Sequence, residues 1–498
     1  MAKLSVYTRE INNENYPFGL AKAVHISVEK DGNEVPLNCN YGILFAQGEI
    51  SNDNTIIPLG IENPFIYRTS EGSYVICGKR ILETGEPYEA DLGRFWGWKT
   101  SDFKHFKTLG LIDNGILGRQ NFKDSSSKYS DVIESDENNS DAGDLDKEYF
   151  NVAEIYAKDF LQIENNIAEA ALEYWNPANS EASPSTTQYS FPLAKGYGDP
   201  VIFSWEGKWY FISTNDNTDD VGLYVRESDT VSGLFAENTK QHLILPYDPD
   251  RQLIQTFWAP EFHIIGGELY ILFAVSGNQW GPQCHLMKFN RGGSIIDPKS
   301  WSDPVRIVRK DGAPLAENAI TLDMTYIKAG SGSYVVWSYR EHIGDPLDTG
   351  SMLYIATIDE KEPWKLTSDP VLMSRPLFGW ENVAGTINNE GPNAFIRDNK
   401  VYLTYSGGSA NAYTYAVGLF TADYDADLLD LNSWKKENTP IMSFYSVPEF
   451  GPGHNSFFTD ENGNLMIAYH AETAIDEHLR CDMIRKVCFK EDGTPYVR

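Results

Sequence analysis

Three carboxylates in the second half of the chain could do acid and base chemistry: Asp199, Asp323 and Glu390. Each has apolar neighbours on one or both sides. Carboxylates gathered at one site repel each other unless their pKa values separate, and a separated pair supplies one acid and one base. Hydrolysis of a glycosidic bond uses such a pair on opposite faces of the sugar. A single Asp before Pro is more simply a turn residue or strand cap, but recurrence at a regular spacing favours catalysis.

An internal repeat accounts for that spacing. Five times, a polar or acidic residue precedes a short apolar run, a turn and a second, aromatic-rich run. The five anchor residues, separated by 62, 62, 67 and 64 positions, are Asp199, Glu261, Asp323, Glu390 and His454. Each copy carries a hairpin signal of the Gly-Lys, Gly-Gly or Asn-Lys kind between its two runs. A fixed period of this kind indicates a repeat architecture.

A period in the sixties fits a four-stranded propeller blade with elaborated loops. The sequence therefore predicts an all-β fold with a five-bladed β-propeller over residues 190–498. In that architecture the first strand of each blade lines the axis, so the five anchors would converge on one central site. A β-solenoid or two β-sandwiches are the alternatives.

The region before the propeller has a different organisation. Residues 1–121 are β-rich and predict an accessory region, with blade-like sheets as one form it could take, and they hold a weaker copy of the repeat from Glu62 (ENPFIYRTSEGSYVICGKR). That copy is off the period, 137 positions before Asp199. It indicates a separate unit.

A connecting segment over residues 122–189 links the two regions. Residues 122–148 are polar and acidic, as in a long loop or linker. From Tyr149 to Tyr174, Ala, Leu and Ile recur at helical spacing and predict a helix. We place the domain boundary near residue 190.

The chain is strongly acidic. It has 41 Lys and Arg against 71 Asp and Glu, a formal net charge of −30. Such a surface repels phosphate backbones and anionic lipid, which argues against nucleic-acid and membrane partners. A neutral sugar carries no such penalty.

Cysteine usage and the first residues bear on the compartment. The five cysteines are odd in number and show no metal-binding spacing, so neither a disulfide framework nor a zinc site is predicted. The N-terminus lacks the apolar run of a signal peptide. These features predict a cytoplasmic protein, or a secreted one if a signal peptide has been removed.

Several motifs resemble those of glycoside hydrolase family 43. They are GDP (198–200), WAPE (258–261), LDMTY (322–326), WENVAGTINNEGP (380–392) and GPGHNSFF (451–458), followed by the closing stretch YHAE…RCDMIRKVCFKEDGTPY. The stretch EGPNAFIRDNKVYLTYSGG resembles the α-L-arabinofuranosidase and exo-arabinanase branches. The resemblance covers about residues 190–498 and does not extend to residues 1–189.

The resemblance implies an inverting mechanism and a role for each carboxylate. Asp199 matches the general base, which activates a water, and Glu390 matches the general acid. Asp323 matches the third carboxylate, which raises the pKa of the acid and orients it. Inversion requires a gap of roughly 6.5–9.5 Å between base and acid.

Three further positions match family residues. His454 matches a histidine that in some members ligates calcium through water or orients catalytic groups; a hydrogen-bonded core histidine is the alternative. Glu261 resembles a residue that braces the blade of the base rather than reacting, and it is also counted among the candidate substrate-binding residues. Arg480 matches an arginine that reaches the site and binds sugar hydroxyls or the carboxylates, with a surface arginine as the alternative.

Three aromatic residues are candidates for stacking on a sugar: Trp258, Trp380 and Phe378. The C–H face of a sugar packs well on an aromatic ring. Packing between blades is the alternative for each.

The leading hypothesis is an exo-acting α-L-arabinofuranosidase that releases terminal arabinofuranose from arabino-oligosaccharides or arabinoxylan fragments. A β-D-xylosidase or bifunctional enzyme is the nearest alternative, and a non-catalytic carbohydrate-binding propeller is the alternative from another class. The predicted partner is a neutral oligosaccharide or hemicellulose fragment. No organic cofactor is implied, and the oligomeric state is left open.

Overall fold

The computed structural model describes residues 1–12, 16–113, 155–177, 189–383, 387–475 and 477–497. The chain divides into two compact units. The first unit comprises residues 1–51, 56–179 and 377–385, and the second comprises residues 52–55, 180–376 and 386–498. The acidic segment predicted over residues 122–148 lies outside the described residues. No helix among those that are described is long and apolar enough to cross a membrane.

The first unit holds two four-stranded antiparallel sheets, a two-stranded ribbon and two helices. Its strands are β1 (Ala2–Arg9), β2 (His25–Lys30), β3 (Asn33–Pro36), β4 (Glu49–Ile50), β5 (Ile56–Ile57), β6 (Gly60–Arg68), β7 (Tyr74–Ile81), β8 (Arg94–Thr100), β9 (Lys107–Asp113) and β10 (Ile155–Ile163). The helices are α1 (Phe18–Ala21) and α2 (Asn165–Trp175). The sheet orders are β10-β1-β2-β3 and β6-β7-β8-β9, and β4 pairs with β5.

The helix predicted from Tyr149 to Tyr174 is wrong in its first half. Residues Ile155–Ile163 form β10, which pairs antiparallel with β1 from Ala2↔Ile163 to Arg9↔Ile155. Among the described residues of that segment only α2 is helical, and it buries Ala168 and Ala171 in the core of the first unit. Pairing with a strand at the start of the chain overrides the local helical pattern, because strand formation depends on tertiary partners.

The second unit contains five four-stranded antiparallel sheets and a terminal ribbon. Sheet one is β12 (Tyr197–Trp205), β13 (Lys208–Asn215), β14 (Leu223–Ser228) and β15 (Gln241–Leu245). Sheet two is β16 (Gln255–Ile265), β17 (Glu268–Ser276), β18 (Gln283–Lys288) and β19 (Val305–Arg306). Sheet three is β20 (Ala319–Ala329), β21 (Gly332–Glu341), β22 (Met352–Thr357) and β23 (Val371–Ser374).

Sheets four and five complete the unit. Sheet four is β24 (Asn389–Arg397), β25 (Lys400–Gly407), β26 (Ala416–Asp423) and β27 (Lys435–Lys436). Sheet five is β28 (Phe450–Thr459), β29 (Leu465–Glu472), β30 (Cys481–Lys486) and the earlier strand β11 (Ala194–Lys195). The ribbon pairs β31 (Cys488–Phe489) with β32 (Pro495–Tyr496). These sheets confirm the all-β prediction.

The first strands of the five sheets are neighbours. Strand β12 contacts β16, β16 contacts β20, β20 contacts β24, β24 contacts β28, and β28 contacts β12. Consecutive sheets also share apolar cores, as where Ile212 of sheet one packs with Phe262 of sheet two. Both faces of the middle strands are therefore buried, which explains continuous apolar runs such as the YILFAV of β17.

Every first strand carries a bulge at the same level. Its pairing with the second strand shifts over two residues, and the first of these has a positive φ. These residues are Asp199 (φ 58°), Ala259 (44°), Asp323 (53°), Gly391 (55°) and His454 (42°). Bulges re-aim side chains and are enriched next to active sites, and a positive φ is strained for most residues other than glycine.

This alignment corrects two of the predicted anchors. In sheet two the bulge residue is Ala259, so Glu261 lies two positions further along the strand. In sheet four it is Gly391, so Glu390 lies one position earlier. The other three anchors, in sheets one, three and five, occupy the bulge itself.

Candidate active site

Asp199 is the most heavily bonded of the three carboxylates. Its side chain is buried at the bulge of β12, and Thr214 Oγ1 donates a hydrogen bond to its Oδ2. His454 Nδ1 lies 3.0 Å from Oδ1, and Arg480 Nη1 lies 3.2 Å from the same oxygen. Burial alone would raise the pKa of Asp199, but His454 and Arg480 outweigh it and hold the pKa well below its usual range. Asp199 is therefore ionised at neutral pH.

Arg480 bonds two acidic residues, Asp199 and Asp216. The resemblance implies an arginine that binds the site carboxylates, and the bond to Asp199 fits this. Arg480 Nη1 bonds Asp199, and its Nε and Nη2 bond the Asp216 carboxylate. Gly198 makes room for it, because a Cβ there would lie 2.2 Å from Arg480 Cζ. Burial would lower the pKa of Arg480, but Asp199 and Asp216 raise it, so the guanidinium stays charged.

His454 lies within hydrogen-bonding distance of Asp199. Burial would lower its pKa, but the three surrounding carboxylates of Asp199, Asp323 and Glu390 raise it, which favours the imidazolium. Its backbone N–H donates to Ser406 Oγ at 2.7 Å. Its ring therefore contacts Asp199 through Nδ1.

The surroundings of His454 do not fit the calcium that the resemblance allows. Calcium takes six to eight oxygen ligands. Here Nδ1 faces a carboxylate oxygen that Arg480 also contacts, and the part of the chain that the structure describes contains no cluster of three or more His, Cys, Asp or Glu able to hold a metal. The geometry favours the orienting role.

Asp323 is buried at the bulge of β20. Its Oδ2 accepts hydrogen bonds from Ser338 Oγ at 2.9 Å and from the backbone N–H of Gly391 at 3.2 Å. Burial raises its pKa, and the nearby charge of Asp199 adds to this against the pull of His454. The bond to Gly391 places Asp323 beside the residue that follows Glu390.

Glu390 is half-buried near the start of β24. Tyr415 Oη donates a hydrogen bond to its Oε1 at 3.0 Å. Burial and the neighbouring Asp323 carboxylate raise the pKa of Glu390 to about 7. Glu390 is thus substantially protonated at neutral pH, while Asp199 is ionised.

Contacts through Gly391 connect the three carboxylates. Gly391 bonds Asp323 through its N–H, and a Cβ on it would lie 2.8 Å from His454 Cγ. His454 in turn contacts Asp199. With a φ of 55° and a ring this close, the position requires glycine.

Glu261 is placed away from any substrate-binding role. It is 5 % exposed, its Oε1 accepts from Asn393 Nδ2 at 3.2 Å, and its Oε2 lies 2.6 Å from His263 Nε2. Asn393 belongs to sheet four, so Glu261 ties sheet two to sheet four. The resemblance to a bracing residue fits these contacts, and its assignment to sugar binding does not.

Trp258 is partly exposed beside Asp220. Its Nε1 donates to Asp220 Oδ2 at 2.8 Å, and its ring meets that of Trp280 edge-on at 6.4 Å. Trp280 is 42 % exposed. Asp220 also interacts electrostatically with Arg480. Trp258 is therefore available to a ligand.

The other two aromatic candidates are corrected by their burial. Trp380 is 0 % exposed and Phe378 is 5 % exposed, and both lie in residues 377–385, which belong to the first unit. A ring without an open face cannot stack on a sugar. The packing alternative holds for both.

Sequence reasoning missed three residues that complete the site: Thr214, Tyr415 and His470. Thr214 Oγ1 bonds Asp199 and accepts the N–H of Ala259 at 2.8 Å. His470 Nδ1 accepts the backbone N–H of Asp199 at 3.1 Å. His470 lies in the YHAE stretch that resembles the family. This position is the one sequence feature that could have pointed to a site role for it.

Comparison with known proteins agrees with this geometry. The sequence model of Glycosyl hydrolases family 43 matches residues 189–495. The chain is 30% identical over 302 residues to the extracellular exo-α-(1→5)-L-arabinofuranosidase of Streptomyces chartreusis, covering 59% of this chain and 86% of that one. It is 29% identical over 331 residues to α-L-arabinofuranosidase B of Pyricularia oryzae, covering 64% of each. The match thus spans less than two thirds of the latter protein.

A solved structure is also similar. The crystal structure of α-L-arabinofuranosidase from Lactobacillus brevis superposes with a TM-score of 0.54 at 31% identity. The superposition covers 62% of this chain and 95% of that one.

Proposed function

Since the chain belongs to glycosyl hydrolase family 43, we propose that its second unit is an inverting glycosidase with Asp199 as general base and Glu390 as general acid. The observation that carries this proposal is the divergence of their pKa values. Arg480 and His454 hold Asp199 ionised, whereas burial and Asp323 keep Glu390 protonated up to about pH 7. A base and an acid of this kind are what hydrolysis with inversion uses.

The proposed reaction is a single displacement at the anomeric carbon, with one proton taken up and one given by the enzyme. The Asp199 carboxylate takes one proton from a water as the water oxygen forms a bond to the anomeric carbon. The bond from that carbon to the leaving oxygen breaks, and Glu390 gives its proton to that oxygen. Exchange with solvent then returns Asp199 to its ionised form and Glu390 to its protonated form.

Asp323 acts on the acid. Its negative charge contributes to the raised pKa of Glu390, and it holds the amide of Gly391, the next residue. We therefore assign Asp323 to tuning and orienting Glu390, with no bond to the reacting atoms.

We also propose that the five sheets are the blades of a β-propeller. The contacts of the five first strands form a closed cycle and support this arrangement. The pairing of β11, the earliest strand of the second unit, with β30 of sheet five also supports it. The repeated bulge then sets the bulge residues of all five sheets at one level of the axis.

The substrate we propose is a neutral oligosaccharide that ends in α-L-arabinofuranose. The relatives in Streptomyces chartreusis and Pyricularia oryzae and the L. brevis structure are all named as arabinofuranosidases. Retention of the three carboxylates argues against a purely binding role.

The proposed location is outside the cell. The S. chartreusis relative is named extracellular, which favours the secreted alternative over the cytoplasmic prediction.

The test is hydrolysis of nitrophenyl α-L-arabinofuranoside and nitrophenyl β-D-xylopyranoside side by side. We expect turnover of the arabinoside and its loss in Asp199→Asn. Asp303→Asn is the matched control, because that side chain is 85 % exposed and pairs only at the surface with Arg251. Faster turnover of the xyloside would assign the enzyme to xylosidase chemistry, and failure on both substrates would contradict the proposal.

A further inference from the structure

We propose that Tyr415 is the positioning residue of the acid: its hydroxyl occupies Oε1 of Glu390 and leaves Oε2 to carry the proton that reaches the leaving oxygen. This inference rests on the proposed role of Glu390 as general acid. Tyr415 was not singled out by its sequence, and it lies just before β26, in sheet four.

The hydroxyl of Tyr415 has Glu390 and Ser406 as polar neighbours. The backbone N–H of His454 donates to Ser406 Oγ at 2.7 Å, so the Ser406 proton is free to point elsewhere. Ser406 is fully buried opposite Glu390 on β25, and its side chain lowers the pKa of Tyr415, as a hydrogen-bond donor near the phenol oxygen does. The Tyr415 hydroxyl itself donates to Glu390 Oε1, 3.0 Å away.

Tyr415 also keeps that proton. Burial, followed by the charges of the nearby carboxylates, raises its pKa well above the usual range. It therefore acts as a hydrogen-bond donor at every pH at which the enzyme works.

The ring of Tyr415 is held by two neighbours in sheet five. His470 stacks on it with ring centroids 5.6 Å apart and planes 12° from parallel. A Cβ on Gly453 would lie 2.1 Å from Tyr415 Cδ1, so the backbone of β28 lies directly against the ring. Because His470 also accepts the N–H of Asp199, the same pair of rings holds the base and the acid in one arrangement.

The consequence for proton transfer follows from hydrogen-bond capacity. A protonated carboxyl has one O–H donor, and its other oxygen accepts. Since Tyr415 donates to Oε1, the acidic proton occupies Oε2. When Glu390 gives up that proton, the bond from Tyr415 becomes a bond to a charged acceptor and strengthens.

The test is the pH dependence of kcat/KM in Tyr415→Phe, which keeps the ring and removes the hydroxyl. Glu390 must be protonated to act, so activity is lost as pH rises through its pKa. Without the donor the carboxylate is less stable relative to the acid, and the alkaline limb should move up by about one pH unit. At the pH optimum we expect kcat on arabino-oligosaccharides to fall about tenfold to a hundredfold, with a smaller loss on nitrophenyl arabinoside.

Tyr469→Phe is the matched control. Tyr469, on β29 of sheet five, is also fully buried. Its hydroxyl donates at 3.0 Å to the buried carboxylate of Glu449, the residue before β28. It should lose comparable stability in thermal unfolding and leave the alkaline limb in place. If Tyr415→Phe fails to fold, Ser406→Ala replaces it, and the limb should then rise by a smaller amount because the hydroxyl is no longer directed.

Two results separate this inference from the proposed function. An alkaline limb that stays unchanged in a folded Tyr415→Phe or Ser406→Ala overturns the role of Tyr415. If Glu390→Gln also loses natural and nitrophenyl substrates equally, Glu390 is not the acid, and the proposed function fails first. If Glu390→Gln spares the nitrophenyl substrate while Tyr415→Phe leaves the limb in place, only the positioning role is wrong.

Discussion

The first strand of sheet four and strand β6 of the first unit share one local design and differ in their charged neighbours. Both begin a four-stranded antiparallel sheet, and both carry a two-residue bulge after a glutamate: Glu390-Gly391-Pro392 in β24 and Glu62-Asn63-Pro64 in β6. The bulge residues have nearly the same φ, 55° for Gly391 and 50° for Asn63.

The neighbours of the two glutamates differ in charge. Glu390 has a carboxylate, Asp323, among its closest charges, and its pKa rises to about 7. Glu62 interacts with the ammonium of Lys22 instead. The bulge after a glutamate is therefore common to both regions. The proposed acid role of Glu390 depends in addition on the neighbouring Asp323 carboxylate. This structural likeness also fits the weak copy of the repeat seen from Glu62.

The largest effect should come from removing the base, which has no counterpart in β6. Asp199→Asn should lower kcat/KM on every substrate by roughly 10³–10⁴-fold, the upper range for general base catalysis. Steady-state kinetics with nitrophenyl and oligosaccharide substrates measures it. Residual activity within tenfold of the wild type would break the assignment.

The same Glu→Gln change at the two bulges tests the comparison directly. Glu390→Gln should lower turnover of arabino-oligosaccharides about 10²–10³-fold and cost far less on nitrophenyl arabinoside, whose leaving group needs little protonation. Glu62→Gln should leave both rates within a factor of about two. Equal losses at the two positions would show that the bulge, and not its charged neighbours, is what matters.

Breaking a buried arginine–carboxylate pair in each unit sharpens the contrast. In the second unit His454 and Arg480 depress the pKa of Asp199, so this carboxylate, the proposed base, stays ionised at low pH. Arg480→Met should raise that pKa and move the acidic limb of kcat/KM up by about one pH unit. Activity would then be lost at a higher pH as the solution is acidified.

Arg80→Met is the control in the first unit. Arg80 bonds both oxygens of the buried Asp91, at 2.7 and 2.9 Å. Either variant should destabilise its own unit by about 3–5 kcal/mol, because a buried charge loses its partner. Only Arg480→Met should shift the acidic limb of kcat/KM. A shift of that limb in Arg80→Met as well would mean that the limb reflects loss of folded protein and not the ionisation of Asp199.

The smallest effect concerns stability and pH. The folded-state pKa of Glu390 is raised to about 7, so ionising this carboxyl costs stability as pH rises from its unfolded-state value through about 7. Glu390→Gln should raise Tm at pH 8, by about 2–4 °C for each kcal/mol recovered, with no gain at pH 4. Glu62→Gln should show no such pH-dependent gain, and a gain at both positions would remove the distinction.

The repeat made the sheets and two of the carboxylates predictable. Asp199 and Asp323 are spaced by two repeat periods and occupy the bulge, so one rule located both. Glu390 departed from that rule by one position, because a bulge adds a residue and the anchor was aligned on charge rather than on the positive φ of Gly391.

Other parts of the site depend on contacts that spacing does not encode. Tyr415 and His470 reach Glu390 and Asp199 from outside the first strands, and these contacts form only when the sheets pack. Trp380 and Phe378 were misassigned because an aromatic residue near a motif fits a core as well as a site. The strand β10 was predicted as helix because its partner β1 lies far away in sequence.

The stereochemistry of the first product tests the central claim most directly. Proton NMR during early hydrolysis of nitrophenyl α-L-arabinofuranoside, before mutarotation, distinguishes the two anomers of the released arabinose. With Asp199 activating a water, the account predicts β-L-arabinofuranose first. Initial release of the α anomer would mean a covalent intermediate on the enzyme, and would contradict the assignment of Asp199 as general base.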